Sequence, residues 1–525
     1  MILDTAPTGH TIALLSLPEK MEKWIEVMDM MMEKHRYIAR SFAGKYVKGE
    51  CDKFIESQRE DIRRVKRLLT NPKTTEFVLV TIPEPMSIYE TERLVQVLNK
   101  INIPVNSIIV NRIIMEDKCP FCLAVKKEKE KYVNEIEEKF GVYNLIKMPL
   151  FPGEIRGMEN LTKYAEILFG ENGYVGQANL KVCPTTKNLS KMPSLPQGGM
   201  KDLLEKELRL VIFGGKGGVG KTSIASASAL QLARHNKNKK VLVFSTDPAH
   251  SLSDSFNQPI GNEFRKVGNE TDNLYALELD ASQMLDDLKE QYRGDIEEAF
   301  DKFLSSGMDI KFDKEVMEDL INLSPPGLEE IMALKKITEL MTASDYDIFV
   351  MDSAASGHLL RFLEMPRIVR EWLQAIFKLF IKYKGIINLS KIHSVETLLD
   401  LSRDIRKIQE TLVNPNTTEF VMITIPEEMA VQEMGDLSST LHNLKIPCSH
   451  TIINMIVPLS DCYFCNTKRT EQQKYIQAIE PRVNPVRDKS LNGVNRHIIY
   501  IPLFSYEIRG NEKLNELAEI MFLKE

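Results

Sequence analysis

Two stretches of this chain occur twice, and that repeat restricts its possible folds more than any other feature. LLTNPKTTEFVLVTIPEPM, from Leu68, returns as TLVNPNTTEFVMITIPEEM from Thr411. MPLFPGEIRGMENLTKYAEILF, from Met148, returns as IPLFSYEIRGNEKLNELAEIMF from Ile501. Cys119 and Cys122 stand at the same distance from the first landmark as Cys462 and Cys465, and the two tryptophans, Trp24 and Trp372, each follow Asp4 and Asp352 by twenty residues. Residues 1–170 therefore read as a second copy of residues 349–525, which predicts two domains of one architecture in an incomplete tandem repeat. Residues 208–347 have no counterpart, so the first copy lacks its N-terminal half. Residues 171–207 match neither copy; rich in Gly, Pro, Ser and Asn without apolar periodicity, they read as a linker.

Within the copies, apolar runs such as LRLVIF, KVLVFS, YDIFVMD, EFVMITI and HTIINMIV alternate with helical patterns. This alternation predicts an α/β fold, a mostly parallel sheet flanked by helices. Residues 208–525 form the complete domain. Residues 282–344 and 364–412 read as mainly helical, a helical subdomain inserted on that sheet. The opening MILDTAPTGH has the pattern of a buried strand running into a carboxylate, Asp4, that faces a bound ion, yet no phosphate loop precedes it.

With 43% hydrophobic residues, 27% charged residues and a formal net charge of -6, the chain is an ordinary globular sequence with no basic excess for nucleic-acid binding. Lys237, Lys239 and Lys240 read as a solvated turn. No apolar run approaches the ~20 residues of a membrane helix, and Asp4 argues against a secretory leader, so a cytoplasmic location is expected. Seven cysteines, four of them in two Cys-x-x-Cys pairs, suit a reducing compartment.

LRLVIFGGKGGVGKTSIASASALQLA gives a buried strand, a glycine-rich loop and an Ala/Ser-rich helix. Such a loop turns successive backbone N–H groups and a helix N-terminus toward phosphate oxygens. The phosphate cradle is Gly215, Gly217, Gly218, Val219, Gly220, Lys221, Thr222 and Ser223. In it Lys221 would neutralise the β- and γ-phosphates of a bound nucleotide and the Thr222 hydroxyl would ligate Mg²⁺. Lys216 is not needed to fold the loop, and its charge beside the phosphates suggests a second cation for the transition state. Here the sequence resembles the deviant P-loop ATPases, whose signature lysine reaches the nucleotide of a dimer partner.

STDPAHSLSDSF, from Ser245, and MDSAASGHLLRFLEMP, from Met351, narrow the resemblance to the arsenite-pump and tail-anchored-protein targeting ATPases. It covers nearly the whole chain outside the linker. It implies that Asp247 orients and activates the attacking water and that Asp352 supports Mg²⁺ through water. Each carboxylate ends an apolar strand on the side where the phosphate-loop strand also ends, although helix capping explains either residue as well. The family pattern D-T-A-P-T-G-H stands at Asp4–His10 but reads Asp352-Ser-Ala-Ala-Ser-Gly-His358 in the complete copy, and losing the proline loosens that switch. Asn454 and Pro502 to Phe504 match the family's adenine-contacting positions, though an asparagine at a strand end is also a common turn residue.

Each Cys-x-x-Cys pair supplies two thiolates, half of a tetrahedral zinc site. In the targeting ATPase a matching pair from each subunit shares one zinc. Here Cys119, Cys122, Cys462 and Cys465 lie in one chain, so structural Zn²⁺, a redox dithiol and inert thiols all stand as readings. Met21, Trp24, Ile25, Met28 and Met31/Met32 follow helical spacing, as do Val369, Trp372, Leu373, Ile376, Phe377, Phe380 and Ile381. They are either core helices or, as the resemblance implies, a groove for a membrane segment; the methionine density of EVMDMMMEK suits varied apolar partners. Ser324 with Pro325 or Pro326 opens another helix of that subdomain.

The leading expectation is an ATP-hydrolysing factor, peripheral at the membrane, that couples nucleotide state to capture and delivery of a membrane-protein tail segment. The alternatives are the catalytic subunit of an arsenite or antimonite efflux pump, docking on its membrane subunit, and an ATP-independent holdase. With no phosphate loop, signature lysine or first switch in the first copy, the chain is expected either to self-associate through residues 208–525, bringing two Lys216 residues to two ATP molecules, or to hydrolyse ATP slowly.

Overall fold

The computed structural model describes residues 2–5, 8–43, 45–115, 119–170, 199–246, 251–268, 271–279, 283–284, 333, 336–337, 339–342, 345–353, 359, 363–364, 403, 406–460, 462–483 and 497–522. They belong to two compact units, one drawn from residues 1–115, 125–178 and 283–328, the other from 116–124, 179–282 and 329–525. Most of the helical insertion expected at 282–344 and 364–412 lies outside the described residues, as do Ser324 to Pro326 and the Val369–Ile381 stripe; 339–342 and 406–412 are helical.

In the first unit, helices α1 (Thr8–Leu15), α2 (Leu17–Ala43) and α3 (Glu50–Leu69) precede strand β1 (Leu79–Thr81), α4 (Pro85–Lys100) and β2 (Ser107–Ile113). Helix α5 (Pro120–Phe140), which belongs to this unit from residue 125 onward, β3 (Asn144–Pro149) and α6 (Gly157–Phe169) follow. The three strands form a parallel sheet in the order β1-β2-β3. Leu79, Ile108 and Val110 of the sheet pack with Ile88 and Leu98 of α4 and Ile136 of α5. Helices α2 and α3 form a hairpin in which Ile25 meets Ile55 and Ile62, with Met28 and Met32 at its margin. The methionine stripe is thus divided, since Met21 and Trp24 stay exposed. The opening segment corrects the strand expectation: residues 2–5 belong to no strand, and Ile2 and Leu3 are exposed. Its counterpart strand in the complete copy is held between two neighbours that residues 1–170 do not contain.

In the second unit come α7 (Lys201–Glu205), β4 (Leu210–Gly215), α8 (Lys221–His235), β5 (Val241–Ser245), α9 (Ser251–Phe256), β6 (Arg265–Lys266) and β7 (Leu274–Glu278). They are followed by β8 (Ile348–Asp352), β9 (Thr418–Thr424), α10 (Glu428–Asn443), β10 (His450–Ile456), α11 (Tyr463–Val483), β11 (His497–Pro502) and α12 (Gly510–Phe522). The sheet order is β11-β10-β9-β4-β8-β5-β7-β6, parallel except for β6. Strands covered on both faces are mainly apolar, and every residue of β4, β5, β8 and β9 is buried, with the polar ones at the strand ends. Alternation divides them: Val211 and Phe213 join the core beneath α8 and α12, while Leu210 and Ile212 join the core of α10 and α11. Ala225, Ala227, Ala229 and Ala233 are all buried on α8, small enough to admit both the sheet and α12.

A polar pin holds α7 at the opposite end of the sheet from the phosphate loop. His450, fully buried at the start of β10, lies 2.9 Å by Nδ1 from Glu419 Oε1 of β9 and 2.9 Å by Nε2 from Asp202 Oδ1 of α7. Its ring stacks on His497 at 5.3 Å. Ser449 donates from N and Oγ to Glu419, and Lys206 Nζ stands 3.3 Å from Glu419 Oε2. Burial pushes the His450 pKa down, but its bonds to Asp202 and Glu419 outweigh that and hold it above the ordinary imidazole value.

Candidate functional site

Parallel pairing brings the C-terminal ends of β4, β5, β8 and β9 together, with Phe213 and Ser245 in register with Asp352 and Gly215 in register with Ile423. Ligands of parallel α/β sheets bind at this edge. Gly215 lies against β9 so closely that a Cβ on it would sit 2.0 Å from the Ile423 carbonyl oxygen. Gly220 has φ of 88° and closes the loop at the N-terminus of α8, whose unpaired N–H groups form an anion site. Lys221 is buried and donates from Nζ to the Lys216 carbonyl at 3.1 Å, curled over the loop where phosphate oxygens belong.

The carboxylate of Asp352, at the end of β8, accepts on Oδ2 from Thr222 Oγ1 at 2.8 Å and from Ser245 Oγ at 3.2 Å. A carboxylate and two hydroxyls at a phosphate loop are the hard oxygen donors that Mg²⁺ prefers, so the residues present fit the ion. Ser353 donates from Oγ to the Phe213 carbonyl at 2.7 Å and ties the end of β8 to β4. Asp247 lies outside the described residues. Gly217 and Ser223 extend the cradle, and Val219 is wholly buried.

Asn454 bridges β10 to the loop. Its Nδ2 donates to the Val219 carbonyl at 2.8 Å, and its Oδ1 accepts from Met455 N at 2.8 Å, where the backbone turns left-handed with φ of 58°. Pro502 ends β11, and Phe504 packs at the margin of the core near Tyr506. Lys216 is half-buried with Nζ 3.9 Å from Glu433 Oε1 on α10. The sequence reading passed over Glu433, a helix glutamate with no motif around it. Ser245, which begins the segment STDPAHSLSDSF, closes β5 beside Asp352, a placement that its position at a strand end signals. Arg509, in the repeated E-I-R-G, reaches Asp254 Oδ1 of α9 at 2.5 Å.

All four Cys-x-x-Cys thiols meet within the second unit, with sulfur atoms no more than 4.8 Å apart. Cys119 and Cys465 are 3.9 Å apart, Cys122 and Cys462 4.0 Å, Cys122 and Cys465 3.4 Å. Four thiolates at about 2.3 Å around a tetrahedral zinc stand about 3.8 Å from each other, whereas a disulfide needs about 2 Å. The donor set therefore fits zinc. Each pair opens a helix, with its first cysteine just before α5 or α11 and its second in the first turn, where the helix dipole favours thiolate. Burial raises the Cys119 pKa, but the Cys122 N–H and neighbouring thiols outweigh it and bring it to about 7; burial pushes Cys465 up to about 11. Val457 and Leu503 shield the cluster, and Gln472 joins it to the nucleotide edge by accepting from Val457 N and donating to the Met455 carbonyl.

A glycine-rich loop opening a buried helix, with a carboxylate fixed on its threonine at the C-terminal edge of a parallel sheet, defines a P-loop ATPase. The chain belongs to the family of anion-transporting ATPases, whose model matches residues 1–170 and 208–523. It is 28% identical over 554 residues to ATPase ARSA1 of Chlamydomonas reinhardtii, covering 99% of this chain and 67% of that one. A putative arsenical pump-driving ATPase of Halobacterium salinarum is 28% identical over 496 residues, 92% of this chain and 70% of the relative. ATPase GET3C of Arabidopsis thaliana is 34% identical over 335 residues, 59% of this chain and 81% of its own. Among the described residues no helix is long and apolar enough to cross a membrane.

Proposed function

We propose that this ATPase couples its nucleotide state to the capture of a C-terminal membrane segment and its delivery to a membrane. The observation that carries the reading is apolar surface on a helical hairpin, where Met21 and Trp24 of α2 and Phe54 and Val65 of α3 remain exposed beside a packed interior. Exposed apolar surface of this kind marks binding of protein or membrane segments. In the proposed cycle Lys221 neutralises the phosphates, Thr222 would ligate Mg²⁺ with Asp352 supporting it through water, and Asp247 orients the attacking water. Bound Mg²⁺ would supply charge neutralisation at the β- and γ-phosphates. Lys216 leaves Glu433 to reach the nucleotide of a second copy. Asn454, Pro502 and Phe504 border the base, and the four cysteines hold structural Zn²⁺.

Co-expression with a tagged, single C-terminal membrane segment tests this. Soluble co-purification that Lys216→Ala abolishes is the expected result. A segment that never appears in the soluble fraction would remove the reading. The relative named for an arsenical pump, aligned over 92% of the chain, supports catalysis for a metalloid pump as the second reading. Hydrolysis accelerated by arsenite or antimonite is its signature.

A further inference from the structure

Strand β10 is irregular at the end nearest the phosphate loop. His450 to Ile453 pair in register with both β9 and β11. The β11 register then slips between Ile453 and Ile456, and among the described residues neither Asn454 nor Met455 has a paired residue on either neighbour. Met455 is left-handed with φ of 58°, a strained conformation for a residue with a side chain and one that persists only where its surroundings hold it. A bulge of this kind beside a ligand site re-aims a side chain. Here that side chain is Asn454, whose Nδ2 donates to the Val219 carbonyl at 2.8 Å. It lies so near the loop that a Cβ on Gly220 would meet this nitrogen at 2.5 Å.

Helix α11 brackets the bulge. Gln472 donates from Nε2 to the Met455 carbonyl at 2.9 Å and accepts on Oε1 from Val457 N at 2.8 Å, and Arg469 donates from Nη1 to the Val457 carbonyl. An amide that both donates and accepts thus does for this segment what ladder bonds do for the rest of the strand. Gln472 and Arg469 share one face of the helix and are 6% and 9% exposed, and Ile476 and Ile479 seat the next turns in the core. The bracket therefore stands on a fixed base.

The turn itself forms without the glutamine. At the matching place in the first copy Arg112 has φ of 60° and donates from N to Asn111 Oδ1 at 2.9 Å, as Met455 donates to Asn454. There the positions of Arg469 and Gln472 carry Lys126 and Lys129, and Lys129 Nζ reaches Glu84 Oε1 at 2.7 Å. Folding the turn does not require Gln472; what the glutamine adds is attachment of the turn to α11, in the copy where the asparagine holds a phosphate loop.

We propose that Gln472 is a positioning residue for nucleotide binding, acting through Asn454. It fixes the bulge so that the asparagine holds the phosphate loop in its binding shape before the nucleotide arrives, with Arg469 sharing the bracket. Order established in the free protein is order that binding does not have to create, so it appears as affinity. The proposal rests on the loop being the ATP site and is independent of which cargo the ATPase serves.

The test is a fluorescent-nucleotide titration of the full chain with Mg²⁺, together with hydrogen exchange over residues 219–222 in the nucleotide-free protein. Asn454→Ala and Gln472→Met should each weaken binding about fivefold, the net worth of one hydrogen bond, and each should speed exchange in the loop. The double variant should bind no more than about twofold more weakly than Asn454→Ala alone, because the glutamine acts through the asparagine. A glutamine that only stabilises the fold would add its own loss to that of Asn454→Ala, so losses that multiply would overturn the proposal. Native affinity in Gln472→Met would do the same. If Gln472→Met does not fold, Gln472→Lys takes its place with the same expectations; lysine can donate but not accept, and the fold already accommodates it at position 129. Lys221→Ala separates the two layers of the argument. Affinity retained there removes the ATP site and the proposal with it, whereas affinity lost there but native in Gln472→Met removes the positioning role alone.

Discussion

Replacing His450 with glutamine removes the buried one of two cations set between Asp202 and Glu419, Lys206 being the other, while nearly preserving side-chain volume. Cutting one partner from a buried ion pair costs about 3–5 kcal/mol. Two features reduce that here: Glu419 keeps Ser449 and Lys206, and the Asp202 side chain is 35% exposed, so solvent screens its half. The expected loss is therefore ~2–3 kcal/mol, or about 4–6 °C in the midpoint of a unit this large. The pH dependence has a definite sign. Because the folded imidazole pKa is raised, its contribution is complete below the unfolded value of about 6.5 and disappears as pH climbs through the folded value. Asp202 and Glu419 have lowered pKa values, so their share is present above about pH 4.5 and is lost in acid. Urea denaturation near pH 6 and near pH 9, read by amide exchange of β10, should show the gap between native protein and His450→Gln narrowing at the higher pH. A gap that is equal at both, or that widens, would refute a charged pin.

Gly215→Ala should lower ATP affinity at least tenfold in a fluorescent-nucleotide titration, because its Cβ meets the Ile423 carbonyl at 2.0 Å and must displace backbone; native affinity would show that the loop can retreat. Glu433→Gln releases Lys216 from a half-exposed pair worth under ~1 kcal/mol, so turnover should rise by no more than about fivefold, with the difference fading at about 0.5 M salt; a large loss would make Glu433 part of the catalytic machinery. Cys465→Ser should reduce bound zinc, measured by elemental analysis, from about one ion per chain to a small fraction. Metal-free native protein with four titratable thiols in the cluster would remove the zinc assignment.

The parallel sheet, the glycine loop and the cysteine pairs were legible because each is written in consecutive residues or in a spacing that repeats. LRLVIFGGKGGVGKTS carries strand, loop and helix start in one line. The meeting of the cysteines was half legible: the two pairs were visible, but their convergence depends on how β10 and α11 place Cys462 and Cys465. The His450 pin was not legible at all. Asp202, Glu419 and His450 lie on three separate elements and share no motif, and their pairing follows from strand order. The stripe around Trp24 shows the limit of periodicity, which finds the apolar positions of a helix without dividing those packed on α3 from those facing solvent.

The cysteine cluster also imposes an order in time. Cys122 and Cys465 are 343 residues apart, and synthesis proceeds at roughly 5–20 residues per second. Cys119 and Cys122 therefore leave the ribosome roughly 20–70 s before the thiols that complete their site. Through that interval the early pair lacks its partner thiols and stands open to oxidants. Completion of the cluster thus reports that the chain has been made at least as far as Cys465, and oxidative stress during translation would damage this protein before it had finished folding.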